Sequence, residues 1–324
     1  MSDPTDALRA ALPPLAQSRL QSLRLTDGTA IAVLDASGFD AVERERLETA
    51  VKEALAGQSG VSSVRVALTA DKVRRRIIAV GSGKGGVGKS TVSANLAVAL
   101  ARMGRKVGLV DADIYGPSQP RLMGSEGVKP KARNDKLVPV PNQWGVPVLS
   151  MGQLIEPDKA IAWRGPMVSS ALGQLIDADW GAIDTLIVDL PPGTGDVQLT
   201  MLQRHKPDGA VIVSTPQDLA LIDARRAIQL FEVGHVPVIG LIENMAGYMC
   251  PHCGEVSDPF GAGGAEAAAG ELGHAFLGRL PLDLAIRQAS DAGTPPAAGD
   301  GPQAEAFAAL ARRIATWLDN RQER

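Results

Sequence analysis

The chain has 324 residues and a net charge of −3, with 45% hydrophobic and 21% charged residues. That length suits one large α/β domain with a small companion, and the composition excludes a disordered or collagen-like chain. The charge balance excludes a general attraction to nucleic acid or anionic lipid, and two cysteines exclude a disulfide framework.

Residues 1–70 read as a separate α+β module. Leu23–Leu25 and Ala30–Leu34 flank Asp27-Gly28 as a hairpin. Asp40 is expected to cap a helix running to about Gly57, with Val42, Leu47, Val51 and Leu55 on one face. Val64, Val66 and Leu68 then alternate as a strand. Residues 71–76, Asp-Lys-Val-Arg-Arg-Arg, form a charged linker, read as a solvated connector. The amino-terminal MSDPTDALRA lacks a basic region followed by an apolar one, and no apolar run in the chain is long enough to span a bilayer. A reduced, cytoplasmic protein is expected, with no membrane or nucleic-acid partner.

From Ile77 to the end at 324 the texture changes. Apolar strands are expected at Ile77–Val80, Val107–Val110, Thr185–Asp189, Ala210–Ser214 and Val238–Ile242. Helices alternate with them, at Lys89 to about Met103, Met167–Ile176 and Leu219–Phe231, and a last one at Ala304–Leu318. Its Phe307, Leu310, Ile314 and Trp317 form a stripe that docks on a core. Strand–helix alternation predicts an α/β fold, a mostly parallel sheet covered by helices on both faces. Residues 124–165, rich in Pro and Gly, read as an excursion, and Ala292–Pro302 as a loop.

GSGKGGVGKST at 81–91 carries the strongest chemical signal. From Gly83 it satisfies G-x-x-x-x-G-K-[ST] between a strand and a helix, the context that a phosphate-binding P-loop requires. Gly83, Gly85, Gly86 and Gly88, with Val87 between them, permit a loop whose N–H groups face phosphate oxygens. The helix that follows adds its positive end. Lys89 is placed for the β- and γ-phosphates, the Ser90 hydroxyl for Mg²⁺, and Thr91 for the α-phosphate. Asp189 ends an apolar strand and suits a magnesium-holding carboxylate of the Walker B kind.

Lys84 is a second lysine in the same loop. KGGVGKS resembles the deviant Walker A loop of the class that includes MinD, the partition ATPases and the nitrogenase iron protein. The resemblance implies an ATP-sandwich homodimer in which Lys84 acts in trans. It also makes Asp113, in LVDADIYGPS, the residue that orients the attacking water, and places Asp111 near the metal shell.

Cys250 and Cys253, in GYMCPHCGE, are the only cysteines. A tetrahedral zinc or a four-iron cluster usually takes four protein ligands, and one chain offers two thiolates. A redox pair of the thioredoxin kind stands at a helix N-terminus, whereas here Gly254, Glu255 and a Pro/Gly-rich loop follow. If the protein is a twofold dimer, two copies supply four thiolates, which suit [4Fe–4S] and are acceptable to zinc. PPGTGD (191–196), STPQDLALIDARRAI (214–228) and VIGLIENMAGYMCPHCGE (238–255) together resemble the Mrp/ApbC family of iron–sulfur cluster carrier ATPases. RGPMV (164–168), FGAGG (260–264) and LGRLPLD (277–283) fit as well, so the resemblance covers about residues 77–318. It implies ATP binding with slow hydrolysis, a cluster bridging two chains, and delivery of that cluster to client apoproteins, with cluster-assembly proteins as further partners. It makes Asn244 the reader of the adenine and Pro281 part of the wall beside the base. Residues 1–70 resemble a small domain placed before such ATPases and linked to iron–sulfur assembly. The rival expectation is a MinD- or partition-like switch acting on membrane or DNA, which shares the P-loop but does not predict CPHC.

Overall fold

The structure, a computed structural model, describes residues 4–37, 39, 41–69, 75–154, 165–250 and 252–321. The chain divides into two compact units, Met1–Arg74 and Arg75–Arg324.

In the first unit, helices α1 (Pro4–Ala11), α2 (Pro14–Ser18) and α3 (Ala41–Ala56) accompany strands β1 (Leu20–Thr26), β2 (Thr29–Asp35) and β3 (Ser63–Thr69). β1 and β2 pair antiparallel around the Asp27-Gly28 turn, where both residues have positive φ, and β2 pairs parallel with β3. Alternation along β2 puts Ala30, Ala32 and Leu34 on the face that buries Leu47, Val51 and Leu55 of α3. Asp40, the expected cap of α3, lies outside the described residues, as do residues 71–74 of the expected linker.

The second unit is built on a seven-stranded sheet, every pairing parallel. Its strands are β4 (Arg76–Gly81), β5 (Val107–Asp111), β8 (Val148–Ser150), β9 (Thr185–Asp189), β10 (Gly209–Ser214), β11 (Val238–Glu243) and β14 (Phe276–Arg279). They lie in the order β14-β11-β10-β4-β9-β5-β8. Two small antiparallel hairpins stand outside it, β6 (Lys131–Arg133) with β7 (Lys136–Val138), and β12 (Tyr248–Met249) with β13 (Val256–Ser257). The helices are α4 (Lys89–Arg102), α5 (Gln119–Leu122), α6 (Gly165–Ile176), α7 (Asp196–Thr200), α8 (Asp218–Val233), α9 (Gly264–Leu272), α10 (Leu284–Asp291) and α11 (Pro302–Asp319).

The continuous apolar runs of the central strands follow from burial on both faces. Ile77 and Ala79 of β4 enter one core with Leu172 of α6 and Ile228 and Phe231 of α8, while Ile78 and Val80 enter the other with Leu96 and Leu100 of α4 and Phe307 and Ile314 of α11. The stripe read on α11 is thus a core face. Arg76, assigned to the linker by sequence, opens β4, held by an ion pair to Asp208 at 3.0 Å. The excursion at 124–165 hides a sheet strand, β8, and both β8 and β14 lie at sheet edges, where three or four residues suffice. Among the described residues, no helix is long and apolar enough to cross a membrane.

Candidate nucleotide site and cysteine hairpin

The loop from Gly81 to Gly88 connects the carboxyl end of β4 to the first turn of α4. Gly86 and Gly88 have φ of +80° and +79°, in the left-handed region that favours glycine. Gly83 and Gly88 are also required by space. A Cβ on Gly83 would sit 2.0 Å from the Asp223 carbonyl carbon in α8, and one on Gly88 would sit 2.2 Å from Asn244 Nδ2.

Lys89 is buried and its ammonium lies 2.5 Å from Asp189 Oδ1. Asp189 also accepts from Ser93 Oγ at 2.9 Å and from Gln119 Nε2 at 2.9 Å. The P-loop lysine and the carboxylate at the end of β9, 100 residues apart, therefore form one buried pair. The Ser90 hydroxyl lies 3.4 Å from Lys89 Nζ, and the Ser90 carbonyl accepts from Gln119 Nε2 at 3.0 Å. Thr91, next in α4, is half-buried, and its carbonyl accepts from Asn95 Nδ2.

Asp111 is fully buried and has four donors. Asp113 N–H reaches Oδ1, while the N–H groups of Ser118 and Gln119 and the Ser150 hydroxyl reach Oδ2. Burial, and then the neighbouring Asp189, push its pKa up to about 7 against those hydrogen bonds. The structure thus places Asp111 as the anchor of the loop after β5, with both oxygens already engaged. Asp113 stands at the surface of that loop and accepts from Tyr115 and Gly116 N–H at 3.1 Å each. With Asp196, Gln198 and Pro192 it lines a cleft of about 430 Å³ between the loops after β5 and β9. Lys84 is half-buried, and its ammonium donates to Gln217 Oε1 at 3.5 Å.

On the far side, Asn244 follows β11. Its side-chain amide donates to the P-loop carbonyl of Val87 at 2.8 Å, and its N–H to Ser214 O at 2.8 Å. Pro281 lies in the segment that runs beside it, where Ala246 N–H donates to Leu280 O and Leu282 N–H to Gly247 O. The P-loop, Asn244 and the Pro281 segment converge at one end of the sheet, as expected for the carboxyl ends of parallel strands.

The cysteines sit on the β12–β13 hairpin, not at a helix N-terminus. Cys250 N–H donates to Glu255 O at 2.9 Å and Gly254 N–H to Cys250 O at 2.9 Å, which closes a knuckle around Cys250–Cys253. Both thiols are free, Cys250 half-buried and Cys253 exposed. The N–H groups of Cys253 and His252, and the Cys253 thiol, hydrogen-bond the Cys250 sulfur and hold its pKa below the usual value. Among the described residues, no group of three or more His, Cys, Asp and Glu could hold a metal ion.

A family profile for the NUBPL iron-transfer P-loop NTPases, of the ParA group, matches residues 73–315. The chain belongs to this family. An iron–sulfur cluster carrier protein of Methanocaldococcus jannaschii is 46% identical to this iron-transfer P-loop NTPase over 255 residues, 78% of the chain and 88% of the relative. A nucleotide-binding protein of Archaeoglobus fulgidus, solved in complex with ADP, is similar with a TM-score of 0.59 at 44% identity, over 68% of the chain and 87% of its own. The cell division ATPase MinD of Pyrococcus furiosus is similar at 28% identity and a TM-score of 0.55, over 75% and 99%. The resemblance to iron–sulfur cluster carriers and the P-loop fold expected from the sequence are both met in this iron-transfer P-loop NTPase.

Sequence reading missed three polar side chains. Gln119 is fully buried where three segments meet; its N–H donates to Asp111, and its side-chain amide nitrogen to Ser90 O and Asp189 Oδ2. Gln198 pins the loop after β9 through Pro191 O and Gly193 O. Glu243 ends β11 fully buried. The signal available was only a polar residue beside a motif, in GPSQP, GDVQL and IENM.

Proposed function

We propose that this chain is an ATP-dependent carrier of a [4Fe–4S] cluster, held between two copies and handed to client apoproteins. The observation that carries it is the hairpin: two free thiols, one with a depressed pKa, on an exposed knuckle where, among the described residues, no group of three or more His, Cys, Asp and Glu could hold a metal ion. Four thiolates suit such a cluster, and a twofold dimer supplies them from Cys250 and Cys253 of each copy. The cluster is cargo, and the nucleotide site is the machinery. The family, and relatives named as iron–sulfur cluster carriers, support this reading.

The residues present fit ATP with Mg²⁺. Two buried side-chain oxygens near the P-loop, Gln119 Oε1 and Ser118 Oγ, have no hydrogen-bond partner. Ser90 Oγ and Asp189, the latter through water, would hold the cation, which neutralises phosphate charge when bound. Lys89 leaves Asp189 for the β- and γ-phosphates, so its charge passes from one anion to another. Gly85, Gly86 and Gly88 present N–H groups to the phosphates, and Asn244 and Pro281 flank the adenine. Asp113 orients the attacking water in the cleft it lines. Lys84 of each copy reaches the partner's nucleotide and stabilises the charge developing on the transferred phosphoryl group. Hydrolysis is slow, because the full set of groups exists only in the assembled dimer. The protein acts in the cytoplasm, and residues 1–70 serve cluster assembly.

Anaerobic reconstitution tests the reading. Wild type should take up about four irons per dimer, and the Cys250→Ala/Cys253→Ala variant none. Transfer is followed by activation of an apo-enzyme. A wild-type protein that binds no iron refutes the proposal.

A further inference from the structure

Residues 244–262 leave the sheet after β11, carry the cysteine hairpin and return at the start of α9. Both ends of this excursion meet at one side chain. Glu243, the last residue of β11, is fully buried. Its Oε1 accepts from Gly263 N–H at 3.0 Å, and its Oε2 from Ala265 N–H at 2.7 Å. Arg279, at the end of β14, donates its Nε to Oε1 at 2.9 Å and a second nitrogen to Glu266. The hydrogen bond to the Glu243 carboxylate raises the pKa of Arg279. Three donors from two segments satisfy a carboxylate that would be costly to bury alone.

The next residue, Asn244, holds the P-loop through Val87 O, and a Cβ on Gly88 would strike it. Met245 then has φ of +61°, in a region that non-glycine residues seldom adopt. The chain therefore passes from a fully engaged carboxylate to a P-loop contact to a strained residue, five positions before Cys250. A nucleotide that shifts Asn244 or the P-loop acts on an excursion whose far end is fixed. With Gly263 and Ala265 held at Glu243, a displacement of Asn244 is taken up within the excursion that carries the hairpin.

We propose that Glu243 is a positioning residue that clasps the two ends of the cysteine excursion, so that nucleotide at the P-loop changes the stance of Cys250 and Cys253. This rests on the proposed function for its consequence in cluster transfer, but the clasp itself can be read in cluster-free protein.

The experiment compares wild type, Glu243→Gln and Arg279→Gln by amide hydrogen exchange, each with and without a slowly hydrolysed ATP analogue and Mg²⁺. Wild type should show a nucleotide-dependent change in exchange across residues 246–257. In Glu243→Gln that change should vanish, basal exchange there should rise about tenfold or more, and analogue affinity should stay within about threefold. Arg279→Gln keeps the Gly263 and Ala265 bonds and should fall between the two, and it decides the matter if Glu243→Gln does not fold. In reconstituted protein, the ratio of transfer rates with and without ATP should approach one in Glu243→Gln, with iron content unchanged. A wild-type hairpin indifferent to nucleotide overturns the clasp, and so do variants that keep the wild-type response. Loss of analogue affinity with hairpin exchange unaltered also overturns it, because Glu243 would then serve the nucleotide site alone. Absence of iron in wild type bears only on the carrier reading.

Discussion

Exchanging Lys84 for glutamine separates action in cis from action in trans. Among the described residues the Lys84 ammonium has one hydrogen bond, to Gln217 Oε1 at 3.5 Å. Its loss should change stability by no more than about 0.5 kcal/mol, as for a half-exposed polar substitution. At this chain length that is a melting shift of about 1–2 °C. ATP hydrolysis, by contrast, should fall by about a thousandfold, the lower range for removing a charge supplied to the transferring phosphoryl group. The second variant is Ser90→Ala, which deletes the hydroxyl assigned to magnesium while keeping Lys84. Random mixing of equal amounts makes about half of all dimers mixed. In a mixed dimer the Lys84→Gln chain retains Ser90 and receives Lys84 from its neighbour, so one site of two is complete. The mixture should therefore recover about a quarter of the wild-type rate, measured as phosphate release, although each parent alone is nearly inactive. If Lys84 works within its own chain, neither site of the mixed dimer is complete. A mixture no faster than the better parent would refute the trans assignment.

Three further outcomes are expected. Lys89→Met leaves Asp189 buried without its cation and should cost about 3–5 kcal/mol, because breaking a buried pair strands one charge; this is read as a fall in melting temperature of roughly 10 °C, and an unchanged value rejects the importance of the pair. Gly88→Ala should abolish binding of a fluorescent ADP analogue, since the new Cβ meets Asn244 Nδ2 at 2.2 Å in a left-handed backbone position; ordinary affinity would show that Asn244 moves freely. Alkylation of Cys250 in Cys253→Ser, Cys253 in Cys250→Ser and both in wild type should give a lower pH midpoint for Cys250 than for a free thiol. The thiolate form persists above that lowered midpoint, and part of the depression is lost when the Cys253 thiol is removed.

The phosphate site was legible because its chemistry is local. Eleven consecutive residues at 81–91 specify the loop, its glycines and its lysines, and an apolar run ending in Asp189 specifies the carboxylate. Gln119 was not legible, because its meaning depends on Ser90 and Asp189 arriving from 29 and 70 residues away. Glu243 was hidden for the same reason, with donors at Gly263 and Arg279. Strands β8 and β14 escaped because an edge strand has one neighbour and needs few residues. Helix α9 was masked by FGAGG, whose glycines set the turn into a helix but read as a continuing loop. The central strands were easy, since alternate residues enter two different cores and the positions between their ends are apolar or glycine.

The β12–β13 hairpin has two residues in each strand, and the paired rung Met249–Val256 is largely exposed on both sides. Such a ribbon has little rigidity of its own. A cysteine tip of this kind takes its firmness from whatever its sulfurs hold. In the proposed dimer, a bound cluster would stiffen both hairpin tips together, and its loss would soften both. Grip and cargo would then be one variable in the proposed carrier: a client that draws on the cluster would also loosen the tips that hold it.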